Sequence, residues 1–451
     1  MRFFATIIAP VLFLMVSCGE GEQDVALESN GGEDTTQIQE VSTVAVDNHT
    51  LSNYLDVPVS HVHLNLEVDF DNKILKGSVT HTIDNSAGET HAIFDSKKLK
   101  INAVKVDGED TQYELGDYDE LLGQSLAVAI SPESKQVEIF YETTEGTEAL
   151  DWVDPSLTAG KSHPYVFTQG QSIFTRTWVP LMDTPGLRIT YSADIKVPSE
   201  LMAVMSADNP TTKNDLGEYS FEMTNPIPCY LMALAVGNLE FAAIDDRTGV
   251  YTEPEMLEAC KYEFEDMGTM VTQAEALYGP YLWDRYDVIV LPPSFPFGGM
   301  ENPKLTFATP TIIAGDKSLV TLIAHELAHS WSGNLVTNST WDDFWLNEGF
   351  TVYFERRIME EVYGKDYADM LWILGNGDLQ SSMELEPKDQ MLKLRLSGRH
   401  PDDGMTDIAY EKGSFFLRLL EETCGREKFD AFLKGYFEEH KFQTITTEKF
   451  I

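Results

Sequence analysis

Thr321-Leu322-Ile323-Ala324-His325-Glu326-Leu327-Ala328-His329-Ser330-Trp331 sets two histidines four residues apart inside an apolar, helix-favouring run. Residues four apart share a helix face, so His325 and His329 can present two imidazole nitrogens to one ion. Glu326 then stands beside that ion and does not ligate it. Zinc hydrolases use such a set: protein ligands that leave one position open, and a carboxylate that takes a proton from water. Five residues alone also fit a helix whose histidines fall there by coincidence. The flanking sequence decides.

Trp345-Leu346-Asn347-Glu348-Gly349-Phe350 follows, with Glu348 at the start of a second amphipathic stretch that Gly364 could end. Two histidines and Glu348 make three protein ligands with a fourth position free for water. Phe297-Gly298-Gly299-Met300-Glu301-Asn302 lies upstream and Tyr410-Glu411-Lys412-Gly413 downstream. A carboxylate such as Glu301 at the end of a cleft can pair with a free α-ammonium and fix the first peptide bond over the metal. Gly298 and Gly299 allow close backbone approach, so a substrate could lie alongside as an added strand.

These motifs and their spacing resemble the zinc aminopeptidase family of aminopeptidase N and leukotriene hydrolase. The leukotriene hydrolase branch is the closer likeness, through Leu291-Pro292-Pro293-Ser294-Phe295-Pro296 and Asn302-Pro303-Lys304-Leu305-Thr306-Phe307, and it covers the chain from about residue 50 onward. The resemblance implies that Tyr410 donates its hydroxyl to the reaction's oxyanion. It also implies that Gln171, with Gln169 nearby, helps hold the substrate's first residue, and that Met300 belongs to the substrate-binding segment. Asp402 matches an aspartate of the loop before Tyr410. That branch carries a second tyrosine where this chain has Met405, which removes the phenol that an epoxide-hydrolase activity would use. Glu355, one turn-multiple past Glu348, is placed to support a ligating imidazole.

The expected fold is α+β and multidomain. Residues 49–241 are expected to form an antiparallel β domain. From His61, the apolar residues Val62, Leu64, Leu66, Val68 and Phe70 alternate with polar ones, as in a half-buried strand. Residues 242–451 are expected to form a thermolysin-like α/β zinc peptidase domain, with a helix over about 254–277 and a strand from Tyr286. Family members continue into a C-terminal helical domain that is missing here, which reads as a C-terminal truncation. His61 and His63 share a strand face, but no third ligand accompanies them.

The chain has 74 acidic and 32 basic residues, a formal charge of −42. That balance excludes a nucleic-acid partner, whose phosphates such a surface would repel. None of the four cysteines sits in a Cys-x-x-Cys pair, so the metal is not thiolate-bound. Residues 1–18 read as a lipoprotein signal peptide, an apolar run ending in Leu14-Met15-Val16-Ser17-Cys18. Cys18 would then carry a lipid, residues 19–48 would be a disordered linker, and the protein would be held by that anchor in a bacterial cell envelope, facing the periplasm or exterior.

The expectation is therefore a zinc metallo-aminopeptidase with one Zn2+ per chain, acting on peptides with a free N-terminus. Two other readings keep the same residues. An endopeptidase would ignore the N-terminal amine, and a catalytically inert lipoprotein would only bind peptides.

Overall fold

The computed structural model describes residues 45–451 except residue 386. Cys18, the expected signal peptide and most of the expected linker lie outside the described residues. The linker's last residues are described, and Asp47 among them is buried, accepting a hydrogen bond from Thr184 Oγ1 at 2.7 Å.

The first half is built of sheets, as the alternating pattern requires. Val62, Leu64, Leu66 and Val68 on strand β1 (Val59–Asp69) are all buried. The other strands of its sheet are β2 (Ile74–Ile83), β3 (Leu99–Val106), β4 (Glu109–Asp110), β5 (Gln136–Thr143), β6 (Arg188–Lys196) and β7 (Glu218–Pro228). Their spatial order is β7-β6-β1-β2-β5-β3-β4. One pair departs from the expected antiparallel arrangement: β1 and β6 run parallel, His61 opposite Thr190 through Glu67 opposite Lys196. His61 and His63 spend their ring nitrogens on the hydroxyls of Thr190 and Ser192 across that pair. A four-stranded sheet follows, one of whose strands, Tyr165–Thr168, delivers Gln169 and Gln171.

The second half opens with a five-stranded mixed sheet of β8 (Glu240–Ala243), β9 (Thr248–Thr252), β10 (Tyr286–Val290), β11 (Gly299–Met300) and β12 (Leu305–Ala308), ordered β8-β9-β10-β12-β11. The helix expected over about 254–277 is two helices, α1 (Leu257–Glu263) and α2 (Met267–Tyr278). Phe264, buried between them, interrupts the run. The remaining helices that matter to the site are α3 (Thr321–Ala328), α4 (Trp345–Tyr363), α5 (Lys365–Leu385) and α6 (Gly413–Cys424). Gly364 ends α4 with φ +90°, a conformation glycine adopts at little cost. Immediately before α6, Ile408–Lys412 forms a single π turn that carries Tyr410.

Candidate active site

Helix α3 is short, and His329 is its C-terminal cap. Its apolar residues Ile323, Ala324, Leu327 and Ala328 are buried, which turns the histidine face toward α4. There Glu348 sits in the first turn. The three ligand atoms are nearly equidistant: His325 Nε2 to His329 Nε2 is 3.2 Å, and Glu348 Oε2 lies 3.4 and 3.5 Å from them. A tetrahedron of zinc bonds near 2.0–2.1 Å has edges of about 3.3–3.4 Å, so the set fits that ion.

The opposite ring nitrogens are already committed. His325 Nδ1 donates to Glu355 Oε2 at 3.0 Å, and His329 Nδ1 to the Ser332 carbonyl at 3.0 Å. Each imidazole is thereby fixed with Nε2 free for a metal. Glu348 Oε2 and Glu326 Oε2 are buried without any hydrogen-bond partner. A buried carboxylate oxygen left unpaired is costly unless a cation or proton completes it.

The site lines a cleft of about 1000 Å³ in which Glu301, Glu326, Glu348, Glu355 and Asp407 are ranged together. No lysine or arginine lines it among the described residues. Glu301, Glu326 and His329 each bring one polar atom within 4.8 Å of the others. Burial pushes the Glu326 carboxyl well above the usual carboxylate range; His325 opposes the shift, and Glu301 and Glu348 add to it. Burial likewise raises Glu301, with His329 pulling down and Glu348 pushing up. The Tyr410 phenol is raised by burial and by the Glu348, Glu301 and Glu326 carboxylates, and so holds its proton at neutral pH.

The structure brings Gln171, Gly298, Gly299, Glu301 and Tyr410 to the same cleft as the histidines. Gln171 Nε2 donates to Glu301 Oε1 at 3.4 Å. A side chain at Gly299 would collide with the Glu326 carboxylate, so the glycine makes room for Glu326. Gln169, Met300 and Asp402 do not line the cleft. Gln169 Nε2 donates to Met300 Sδ at 3.0 Å, and Asp402 accepts from Ser172 Oγ at 2.6 Å. Sequence reading missed the amides that hold Glu301. Asn334 Nδ2 donates to its carbonyl at 2.8 Å, and Asn347 Nδ2 lies 3.5 Å from its carboxylate. Asn347 directly precedes a ligand, which was the one signal available.

Residues 57–231 match the model described as Peptidase M1 N-terminal domain, and residues 262–451 that described as Peptidase family M1 domain. Leukotriene A-4 hydrolase of Xenopus laevis is 41% identical over 406 residues, covering 87% of this chain and 67% of its own. The chain belongs to peptidase family M1.

Other M1 relatives agree. Leucine aminopeptidase 2 of Yarrowia lipolytica is 42% identical over 418 residues, 90% of this chain and 64% of its own. The solved structure of native yeast LTA4 hydrolase superposes with a TM-score of 0.87 at 38% identity, covering 91% of this chain and 66% of its own. The chain thus spans about two thirds of the length of these M1 relatives.

The relatives also correct one expectation. The lipoprotein signal peptide, the lipid on Cys18, the membrane anchor and the bacterial envelope location do not stand. Relatives alike along most of the chain include leucine aminopeptidases of Yarrowia lipolytica, Ajellomyces capsulatus and Neosartorya fischeri and the leukotriene A-4 hydrolase of Xenopus laevis, none of them named as a lipoprotein. A short apolar run and one cysteine carry little chemistry by themselves. No helix of the described residues is long and apolar enough to cross a membrane.

Proposed function

We propose that the chain carries a zinc-dependent aminopeptidase site, one zinc per chain, that hydrolyses the first peptide bond of peptides with a free N-terminus. A boundary near residue 242 between a β domain and the peptidase domain belongs to the same reading, supported by family matches on either side of it. The observation that carries the proposal is the buried Glu301 carboxylate, about one residue's reach from Glu326 and His329 in a cleft that no lysine or arginine lines among the described residues. A carboxylate so placed recognises an α-ammonium and leaves room for only one residue before the scissile bond.

Glu301, with Gln171 beside it, holds the ammonium and so fixes the first carbonyl near His325, His329 and Glu348. His325, His329 and Glu348 would hold a zinc ion, which would supply a Lewis acid and bring the pKa of a water to about 7. Glu326, its Oε2 unpartnered, accepts the proton of the attacking water and returns it to the leaving amine. Tyr410 donates its hydroxyl to the oxyanion developing on the substrate carbonyl. Gly299 leaves Glu326 the space to swing between water and amine.

The test compares a leucyl peptide with its N-acetylated copy, with and without chelator. Acetylation removes the ammonium and leaves the scissile bond nearly unchanged. Expected is a preference on the order of 10²-fold for the free peptide, abolished with all turnover by chelation. Equal cleavage of both peptides would refute the exopeptidase reading and favour an endopeptidase.

A further inference from the structure

Tyr410 hangs on the π turn Ile408–Lys412, and that turn is held against helix α4 at two points. The first point is backbone against backbone. A Cβ built on Gly349, the residue after Glu348, would stand 2.7 Å from Gly413 Cα and 3.0 Å from the Ala409 carbonyl oxygen. A Cβ built on Gly413 would stand 2.8 Å from Gly349 Cα. Neither neighbour is a side chain that could swing away, so any methyl group must separate the two elements.

The second point is a buried ion pair. Glu411, the residue after Tyr410, accepts two hydrogen bonds from Arg356 Nη2, at 2.6 and 2.8 Å. Arg356 lies two turns beyond Gly349 on α4, and its guanidinium stacks 4.3 Å from the Trp372 ring of α5. Gly375 of α5 closes over the pair, where a Cβ would overlap both the guanidinium and the Glu411 carboxylate. Three glycines on three helices therefore leave the π turn no slack on the side facing α4.

Resting on the aminopeptidase reading above, we infer that Gly349, Gly413 and Gly375 are positioning residues that set the height of the Tyr410 hydroxyl over the site of Glu348. The ligand and the phenol are one and three residues from the Gly349–Gly413 contact, so the spacing of that contact is passed directly to the distance between them. A displacement of a few tenths of an ångström weakens a hydrogen bond made only in the transition state. It leaves the ammonium subsite of Glu301 untouched. The predicted signature is thus a fall in kcat without a matching change in KM.

The experiment uses the full chain carrying Gly413→Ala, Gly375→Ala, Tyr410→Phe and the double variant Gly413→Ala/Tyr410→Phe. Gly435→Ala is the control, since a Cβ there meets nothing within 4 Å. Readouts are kcat and KM on a leucyl peptide, zinc content, and calorimetric affinity for a phosphinic dipeptide that mimics the tetrahedral transition state. Loss of Tyr410 is expected to lower kcat about 10²- to 10³-fold. Gly413→Ala should lower kcat and phosphinate affinity about tenfold or more, with KM within about twofold and zinc retained. Added to Tyr410→Phe it should cost nothing further, because its effect runs through the phenol. If Gly413→Ala does not fold, Gly375→Ala, which presses on Glu411 from outside, is read the same way. An active wild type whose glycine variants keep kcat and phosphinate affinity, or whose losses simply multiply with Tyr410→Phe, overturns the inference alone. A wild type inert toward free peptides overturns the aminopeptidase reading itself.

Discussion

Four glutamates share one cleft, yet their surroundings give them separate tasks. Glu348 faces the two Nε2 atoms, Glu355 faces an Nδ1, Glu326 faces Gly299, and Glu301 faces two amides. Only Glu326 combines an unpartnered oxygen with freedom from the ligand triangle. Glu326→Gln is therefore expected to keep zinc and lose turnover by about 10²-fold or more. His325→Ala and Glu348→Ala should lose the metal as well, as elemental analysis after dialysis would reveal. Equal zinc loss in all three variants contradicts the division of roles. Glu301→Gln should reduce kcat/KM on free peptides and narrow the gap between free and acetylated ones, since a charge-assisted bond worth about 1.5–3 kcal/mol is removed. A Glu301→Gln enzyme that still discriminates as strongly as the wild type would place the ammonium site elsewhere.

At the scale of elements, one strand carries a proton switch of stability. His81 on β2 is fully buried, its ring 4.5 Å from that of Phe94 and its Nε2 bonded to the Pro180 carbonyl. Burial lowers its pKa to about 4. In the unfolded chain a histidine titrates near 6.5, so the unfolded state alone takes up a proton between those values. The neutral ring's contribution is complete above about pH 6.5 and drains away as pH falls toward 4, by about 3 kcal/mol in all. His81→Gln should flatten the fall of Tm between pH 6.5 and 5. An unchanged slope would mean that His81 is not the group responsible.

Elements also show what sequence reading can reach. The strand through Val62, Leu64, Leu66 and Val68 and the His325–His329 face were legible because burial of one face imposes a period, two in a strand and near four on a helix. Glu348 was legible because it shares a short motif with a helix start. The break at Phe264 between α1 and α2 was not, since a buried phenylalanine suits a helix as well as a break. Nor was the π turn beneath Tyr410, for which no residue type is diagnostic. The parallel pairing of β1 with β6 escaped for a related reason: alternation reports which face is covered and says nothing of the partner strand.

For the molecule as a whole, the formal charge of −42 has a measurable effect. Like charges on a compact surface repel, and salt screens them within about 8–10 Å at 0.1–0.15 M. Tm should rise between about 10 and 150 mM sodium chloride, as scanning calorimetry of the metal-loaded chain would record. A fall over that range would mean that the ion pairs outweigh the net repulsion. The parallel pair sets a further condition, in time and not in space. His61 and its partner Thr190 are 129 positions apart, so β1, near the middle of the finished sheet, leaves the ribosome long before β6 exists. At about 5–20 residues per second that interval is roughly 6 to 26 seconds. Until then one flank of β1 offers its unpaired amides and carbonyls to any neighbouring nascent chain, so slow translation across residues 70–190 would raise the fraction lost to aggregation.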